Sequence, residues 1–181
     1  MEQARLLHGR PREGADLRAH WAGLRAAASH GVAGVTEAGR WWGVLRHPTG
    51  TSPPPVNGAF AACFEAAPAV LDSLDLQLLL AGSPTPGAGF VQIMRARVHD
   101  RAGWTAADGV AVPMFAAARP DFLGTLRVWD GDLLTVVDSF SSEAEARAGE
   151  QRGATPVEQA AYDAWFGHLR DVEWHDLTAP W

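Results

Sequence analysis

The amino-acid sequence predicts an α+β protein made of two diverged copies of one βαββαβ unit. The turn-rich segment Gly82–Gly89 (GSPTPGAG) divides the 181 residues into nearly equal halves. The hydrophobic periodicity of the second half switches between strand and helix repeats in the order β-α-β-β-α-β, and the first half follows the same order more loosely. We therefore expect one unit over residues 1–82, a linker over 83–89 and a second unit over 90–181.

The second half carries a local signal for each element. Asp100 is a good helix N-cap, Pro113 should kink or divide the helix that follows, and Asp130-Gly131-Asp132 is a strong hairpin signal. Glu143 favours the start of a helix, and Pro156 suits the first turn of an additional one. The predicted elements are a strand over Phe90–Val98, a helix over about Ala102–Ala118, strands over Thr125–Trp129 and Leu133–Phe140, two helices, and a strand over Val172–Leu177.

The first half is interpreted from one amphipathic helix and several short apolar runs. Leu17, Trp21 and Leu24 fall at helical spacing. Trp41 and Trp42 are neighbours on a predicted strand, so they point to opposite faces and at most one is expected in a core. The predicted elements are a strand over Ala4–Gly9, a helix over Gly14–His30, strands over Arg40–Arg46 and Gly58–Phe64, a short helix over Pro68–Leu74 and a closing strand over Leu76–Leu80.

A comparison of the two halves supports a duplication. Arg40–Arg46 can be laid on Asp121–Arg127, because both place two large apolar residues before a glycine, and then a leucine and an arginine. Each such ferredoxin-like unit covers one face of an antiparallel sheet with helices and leaves the other face bare. The bare face must meet a second sheet, which either an intramolecular pair of units or a homodimer of the whole chain would supply.

The composition argues against several classes of function. The formal net charge of -6 disfavours nucleic acid, which rewards clustered positive charge. The longest apolar run, Leu76–Gly82, is too short to cross a membrane. Cys63 is the only cysteine, which excludes an intramolecular disulfide and a cysteine-based zinc site. Because Met1–Arg10 also lacks a secretion signal, we expect a cytoplasmic protein with no nucleic-acid or membrane partner.

Three segments of the second half are similar to a known family. Phe90–Val98, the stretch Arg119–Thr125 with its R-P-x-x-L-G pattern, and Phe140–Arg147 with its F-x-S-E-x-x-A-R pattern resemble antibiotic biosynthesis monooxygenase-like proteins. That group belongs to the dimeric α+β barrel superfamily. The resemblance implies two ferredoxin-like units, present here as a tandem copy, with antiparallel sheets that pack as such a barrel.

The resemblance also implies a choice of activities. Some proteins of the group oxidise aromatic, quinol-type substrates with molecular oxygen and no cofactor, others bind or degrade haem, and others have no known activity. The leading hypothesis is therefore a small tailoring enzyme of bacterial secondary metabolism, a cofactor-independent monooxygenase that takes an aromatic or polyketide-like substrate and molecular oxygen. A haem-binding enzyme of the same superfamily and a non-catalytic small-molecule-binding or scaffold protein are the alternatives.

Candidate site residues follow from charge, aromaticity and strand position. His8 and His175 lie on predicted strands and could act as acid or base, because a histidine pKa lies near neutrality. Arg95 could hold an anion, and if its side chain shares a face with Asp138 on an adjacent strand, the two could form a charge pair that holds a phenolate or carboxylate. A structural salt bridge or two solvent-facing charges is the alternative. The seven histidines show no metal-ligand spacing, so no metal site is expected. The predicted substrate-binding residues, for which core filling or a structural role is the alternative, are Trp104, Trp129, Asp138, Trp174, Met114 and Phe115.

Overall fold

The structure, a computed structural model, describes residues 2–80 and 83–181. Met1, Ala81 and Gly82 lie outside the described residues, and Gly82 is the first position of the turn-rich segment. None of the helices in the described ranges is both long enough and apolar enough to cross a bilayer. The elements are β1 (Glu2–Gly9), α1 (Leu17–Arg25), β2 (His30–Val35), β3 (Trp41–Pro48), α2 (Gly58–Ala61), β4 (Ala69–Ser73), β5 (Leu76–Leu80), β6 (Phe90–Val98), α3 (Arg101–Ala118), β7 (Phe122–Asp130), β8 (Leu133–Phe140), α4 (Glu143–Gln151), α5 (Pro156–Phe166) and β9 (Leu169–Leu177).

The strands form two antiparallel sheets. The first has four strands in the order β2-β3-β1-β4, and the second has five in the order β5-β7-β8-β6-β9. Strands β1 to β4 and strands β6 to β9 have the same relative order, which is that of a ferredoxin-like unit. The predicted α+β fold of two ferredoxin-like units with antiparallel sheets is confirmed.

Strand β5 joins the second sheet although it belongs to the first half of the chain. The prediction that Leu76–Leu80 closes the first unit is wrong, because β4 already occupies the free edge of β1. β5 pairs instead with β7, with Leu76 opposite Val128 and Leu80 opposite Gly124. Backbone hydrogen bonds therefore tie the two halves of the chain together.

Two short segments of the first half differ from their predicted secondary structure. Gly58–Phe64, predicted as a strand, begins with the one-turn helix α2, where the Asn57 side chain accepts a hydrogen bond from the Phe60 amide at 2.8 Å. Pro68–Leu74, predicted as a helix, contains β4. The first helix also ends earlier than predicted, because His30 already begins β2. Short apolar runs carry no period that separates helix from strand, so their tertiary partners decide.

The apolar core lies in layers on both sides of each sheet. One cluster lies between the two sheets and includes Trp42 and Val44 from the first and Ile93 and Leu126 from the second. A second cluster lies between the first sheet and its helices, and a third lies between the second sheet and its helices. Trp41 and Trp42 point to opposite faces, yet both are 0% exposed. The prediction that at most one of them is core is therefore wrong, because this sheet is covered on both faces.

Candidate functional site

A cavity of about 180 Å³ lies between the second sheet and the helices α3 and α5. Its walls are mostly apolar and aromatic, and its few polar side chains come from the strands. That combination is typical of small-molecule sites. The lining residues are Gln92, Ala111, Val112, Phe115, Phe122, Arg127, Asp138, Tyr162, Trp165, Phe166 and Trp174.

Arg127 is the centre of a buried polar network at this cavity. Its guanidinium donates to Asp108 Oδ1 at 2.9 Å and to Asp138 Oδ1 at 3.4 Å. The Arg127 and Asp108 side chains are each 3% exposed. Asp108 also accepts the indole N–H of Trp165 at 2.8 Å, and the Thr125 hydroxyl donates to Asp138. Two carboxyl groups therefore share one guanidinium in a site that is largely closed to water.

Asp138 is a carboxyl group of this network that lines the cavity. Its side chain is 19% exposed. Burial raises the pKa of Asp138 and repulsion from Asp108 adds to this, whereas Arg127 and the Thr125 hydroxyl bond act in the opposite direction. A carboxyl group with a raised pKa holds a proton more readily, so it can take one from an acidic group of a bound molecule.

Aromatic side chains form much of the wall. Phe115 of α3 packs edge-on against Phe122, with ring centroids 4.9 Å apart, and against Tyr162 at 6.4 Å. Trp174 of β9 is 47% exposed and lines the cavity where it meets solvent. A flat apolar molecule would contact ring faces and edges on several sides.

The structure divides the six predicted substrate-binding residues. Trp104 and Trp129 fill the adjoining core, with 0% and 4% exposure and ring centroids 5.4 Å apart. This placement matches the core-filling alternative. Met114 is half-buried on α3 and does not belong to the lining. The three predicted residues that line the cavity are Asp138, Trp174 and Phe115.

The equivalent side of the first sheet is filled with aromatic rings. Trp21, Trp41, Phe60 and Phe64 are each at most 2% exposed. Trp41 packs edge-on against the other three with ring centroids 5.5 Å apart in each case. The candidate site between a sheet and its helices therefore lies in the second unit.

The predicted acid–base and anion-holding residues lie elsewhere, between the two sheets. His8 of β1 stacks on Trp42 of β3 with ring centroids 4.4 Å apart. His175 of β9 lies 4.8 Å from the same ring, and the Arg95 guanidinium carbon lies 5.7 Å from it. The structure thus brings His8, His175 and Arg95 together around one tryptophan.

The predicted charge pair of Arg95 with Asp138 is wrong. Asp138 lies opposite Gln92, whereas Arg95 lies opposite Thr135. Because side chains alternate along a strand, this odd offset puts Arg95 and Asp138 on opposite faces of the sheet. Arg95 faces the first sheet, and Asp138 faces the helices, where Arg127 is its partner.

Arg127, Asp108 and Tyr162 are not among the predicted site residues. Asp108 could have been identified from the sequence, because it falls one helical turn after Trp104 on the buried face of α3. An acidic residue on such a face needs a partner. Arg127 lies on a strand between buried apolar neighbours, and no local pattern connects it to Asp108.

The fold is shared with solved structures at low sequence identity. An anthrone oxidase-like protein superposes with a TM-score of 0.66 at 10% identity, covering 98% of this chain and 90% of that one. An uncharacterized ferredoxin-fold protein from Listeria monocytogenes, related to antibiotic biosynthesis monooxygenases, has a TM-score of 0.56 at 11% identity, covering 100% and 96%. A haem-degrading enzyme from Listeria monocytogenes has a TM-score of 0.51 at 12% identity, covering 96% and 98%.

These likenesses confirm the predicted resemblance at the level of the fold. No protein-family model matches the sequence, and the comparison with curated proteins found no match.

Proposed function

We propose that this chain is a small oxygenase that acts on a flat aromatic substrate in the cavity between the second sheet and its helices. The observation that carries the proposal is Asp138, a carboxyl group with a raised pKa that lies beside Arg127 in an aromatic cavity. The similar structures support the same class, because they include an anthrone oxidase-like protein and a relative of antibiotic biosynthesis monooxygenases. The substrate class is then polyketide-like, and the role is that of a tailoring enzyme.

The proposed reaction needs no cofactor, because the substrate supplies the electrons. Asp138 accepts a proton from a CH₂ carbon that lies between aromatic rings of a cyclic ketone, and Arg127 stabilises the enolate that forms. Two electrons pass from that carbon to O₂ as the C–O bond forms, and the proton returns to give a hydroperoxide. Loss of water leaves a ketone, so one oxygen atom enters the product and the other leaves as water.

Anthrone is a suitable probe, because its CH₂ group lies between two aromatic rings. The purified chain should convert anthrone to anthraquinone faster than buffer alone, and ¹⁸O₂ should supply the new oxygen atom. Asp138→Asn should lower the rate about 100-fold or more, since an amide cannot accept the proton. Asp132→Asn is the matched control, because Asp132 is an exposed hairpin residue paired with Arg97, and it should leave the rate unchanged.

Far-UV circular dichroism of each variant shows whether the fold is intact. Wild-type protein that is no faster than buffer, or a folded Asp138→Asn variant that keeps the wild-type rate, would refute the proposal. Binding of anthrone without turnover would favour the non-catalytic binding protein instead.

Haem fits this cavity poorly. Its described lining offers no histidine, cysteine or methionine as an axial ligand. Tyr162 could supply an oxygen ligand, but burial raises the pKa of its phenol and disfavours the phenolate that iron would require. A haem titration followed at the Soret band should therefore show no saturable complex, and a saturable band that is lost in Tyr162→Phe would favour the haem alternative.

A further inference from the structure

A second cavity of about 180 Å³ lies between the two sheets, on the opposite side of the second sheet from the cavity described above. We propose that it binds a small organic carboxylate, with the charged end on Arg95 and the apolar body against Leu6, Leu71 and Leu133. This site shares no lining residue with the first cavity, so the proposal is independent of the proposed oxygenase activity.

Arg95 supplies the positive charge. It is half-buried on β6, lines the cavity and has no carboxylate within ion-pair distance among the described residues. Two neighbouring strand arginines differ in this respect, because Arg97 lies 2.7 Å from Asp132 and Arg127 lies 2.9 Å from Asp108. A half-buried guanidinium has five N–H donors to satisfy, and a carboxylate accepts two of them at once.

A further donor group lies in the same cavity. Trp42 lines the cavity and is fully buried, and its indole N–H has no acceptor among the described residues. A buried donor without a partner calls for a bound water, ion or ligand. An acceptor with negative charge suits the Trp42 indole N–H and the Arg95 guanidinium together.

The electrostatic field in the cavity favours an anion. After burial itself, the charges of Arg95 and Arg40 are the largest influences that lower the pKa of His8, which lines the cavity. Glu173 opposes them, but its side chain is 60% exposed, and Asp130 is an exposed residue of the lining. Water screens these two carboxylates more than it screens the half-buried Arg95.

The walls select an organic anion over an inorganic one. Leu6, Leu71 and Leu133 contribute apolar surface, and a strongly hydrated ion such as phosphate gains nothing from it. Val70, which is 44% exposed, and the exposed Asp130 also line the cavity and connect it to solvent. The volume of about 180 Å³ suits one small ring or a short branched chain.

Isothermal titration calorimetry of the full chain with benzoate tests the proposal. Benzoate should bind with one site per chain, while benzamide, its neutral analogue, should bind at least about tenfold more weakly. Arg95→Gln should weaken benzoate binding at least about tenfold, and Arg95→Lys should restore part of it. Arg97→Gln is the matched control, and Asp138→Asn tests the other cavity; both should leave the affinity unchanged.

A measurement on the wild-type chain removes any dependence on folding of the variants. The protein has eight tryptophans, so its indole N–H signals in a ¹H–¹⁵N spectrum can be assigned individually. Saturation with benzoate should shift the Trp42 signal and leave that of Trp165, which donates to Asp108 at the other cavity, in place. Absence of saturable benzoate binding, equal affinity for benzamide, tighter binding of inorganic phosphate, or a shift at Trp165 instead of Trp42 would overturn the proposal.

Discussion

Lowering the pH should destabilise the protein through His8, and replacing His8 by phenylalanine should remove part of that effect. His8 stacks on Trp42 between the two sheets. Burial there lowers the pKa of His8 from 6.5 to about 4, and the charges of Arg95 and Arg40 act in the same direction. The folded protein therefore keeps this imidazole neutral in a pH range where the unfolded chain protonates it.

The sign of the effect follows from proton uptake by the unfolded state. Above pH 6.5 both states hold a neutral His8, and between pH 6.5 and about 4 only the unfolded state gains the proton. The free energy of unfolding therefore falls as the pH falls through this window. At about 1.4 kcal/mol per pH unit the full window corresponds to about 3 kcal/mol. Because His8 is only partly buried, solvent screening reduces this, and we expect about 1–2 kcal/mol.

Urea unfolding followed by tryptophan fluorescence, at several pH values between about 7 and about 4.5, measures this change. The His8→Phe variant keeps an aromatic ring on Trp42 and should lose about 1–2 kcal/mol less than wild type over that range. His99→Gln removes the exposed histidine that directly follows β6 and should follow the wild-type curve. Parallel curves for wild type and His8→Phe, or an NMR titration of His8 with a midpoint near 6.5, would refute the reasoning.

Two further predictions concern stability. Arg119→Met should cost about 3–5 kcal/mol in urea unfolding, because it leaves Asp121, to which Arg119 donates at 2.9 Å and 2.6 Å, buried without its partner. The exposed pair of Arg97 is the control, so Arg97→Gln should cost less than about 1 kcal/mol, and equal losses would contradict this account. Gly43→Ala should lower the thermal midpoint and cost about 1–3 kcal/mol, since overpacking forces side chains to shift. The added Cβ would clash with the Trp41 ring and lie 2.7 Å from the Trp21 ring, and an unchanged midpoint would contradict this account.

Local signals in the sequence were sufficient to predict much of the secondary structure of the second unit. Asp100 accepts a hydrogen bond from the Gly103 amide at 3.0 Å, and α3 begins at Arg101, one residue from the predicted start. The helix continues through Pro113 without a division, and α3 packs against α5. Caps and turns act over a few residues, so a sequence pattern of that length predicts them. The short apolar runs of the first half have no such signal, and their secondary structure depended on pairing with distant strands.

From the sequence alone we predicted two units with antiparallel sheets, which the fold confirms, and we proposed His8, His175 and Arg95 as candidate site residues. Which of these residues lie in contact depends on strand register and sheet packing. The offset between β6 and β8 separates Arg95 from Asp138, and a slip of one residue would have joined them on one face. His8 and His175 come together only because two sheets from opposite ends of the chain pack face to face. Register and sheet packing are set by the summed burial of many distant side chains, and no local stretch of sequence contains that sum.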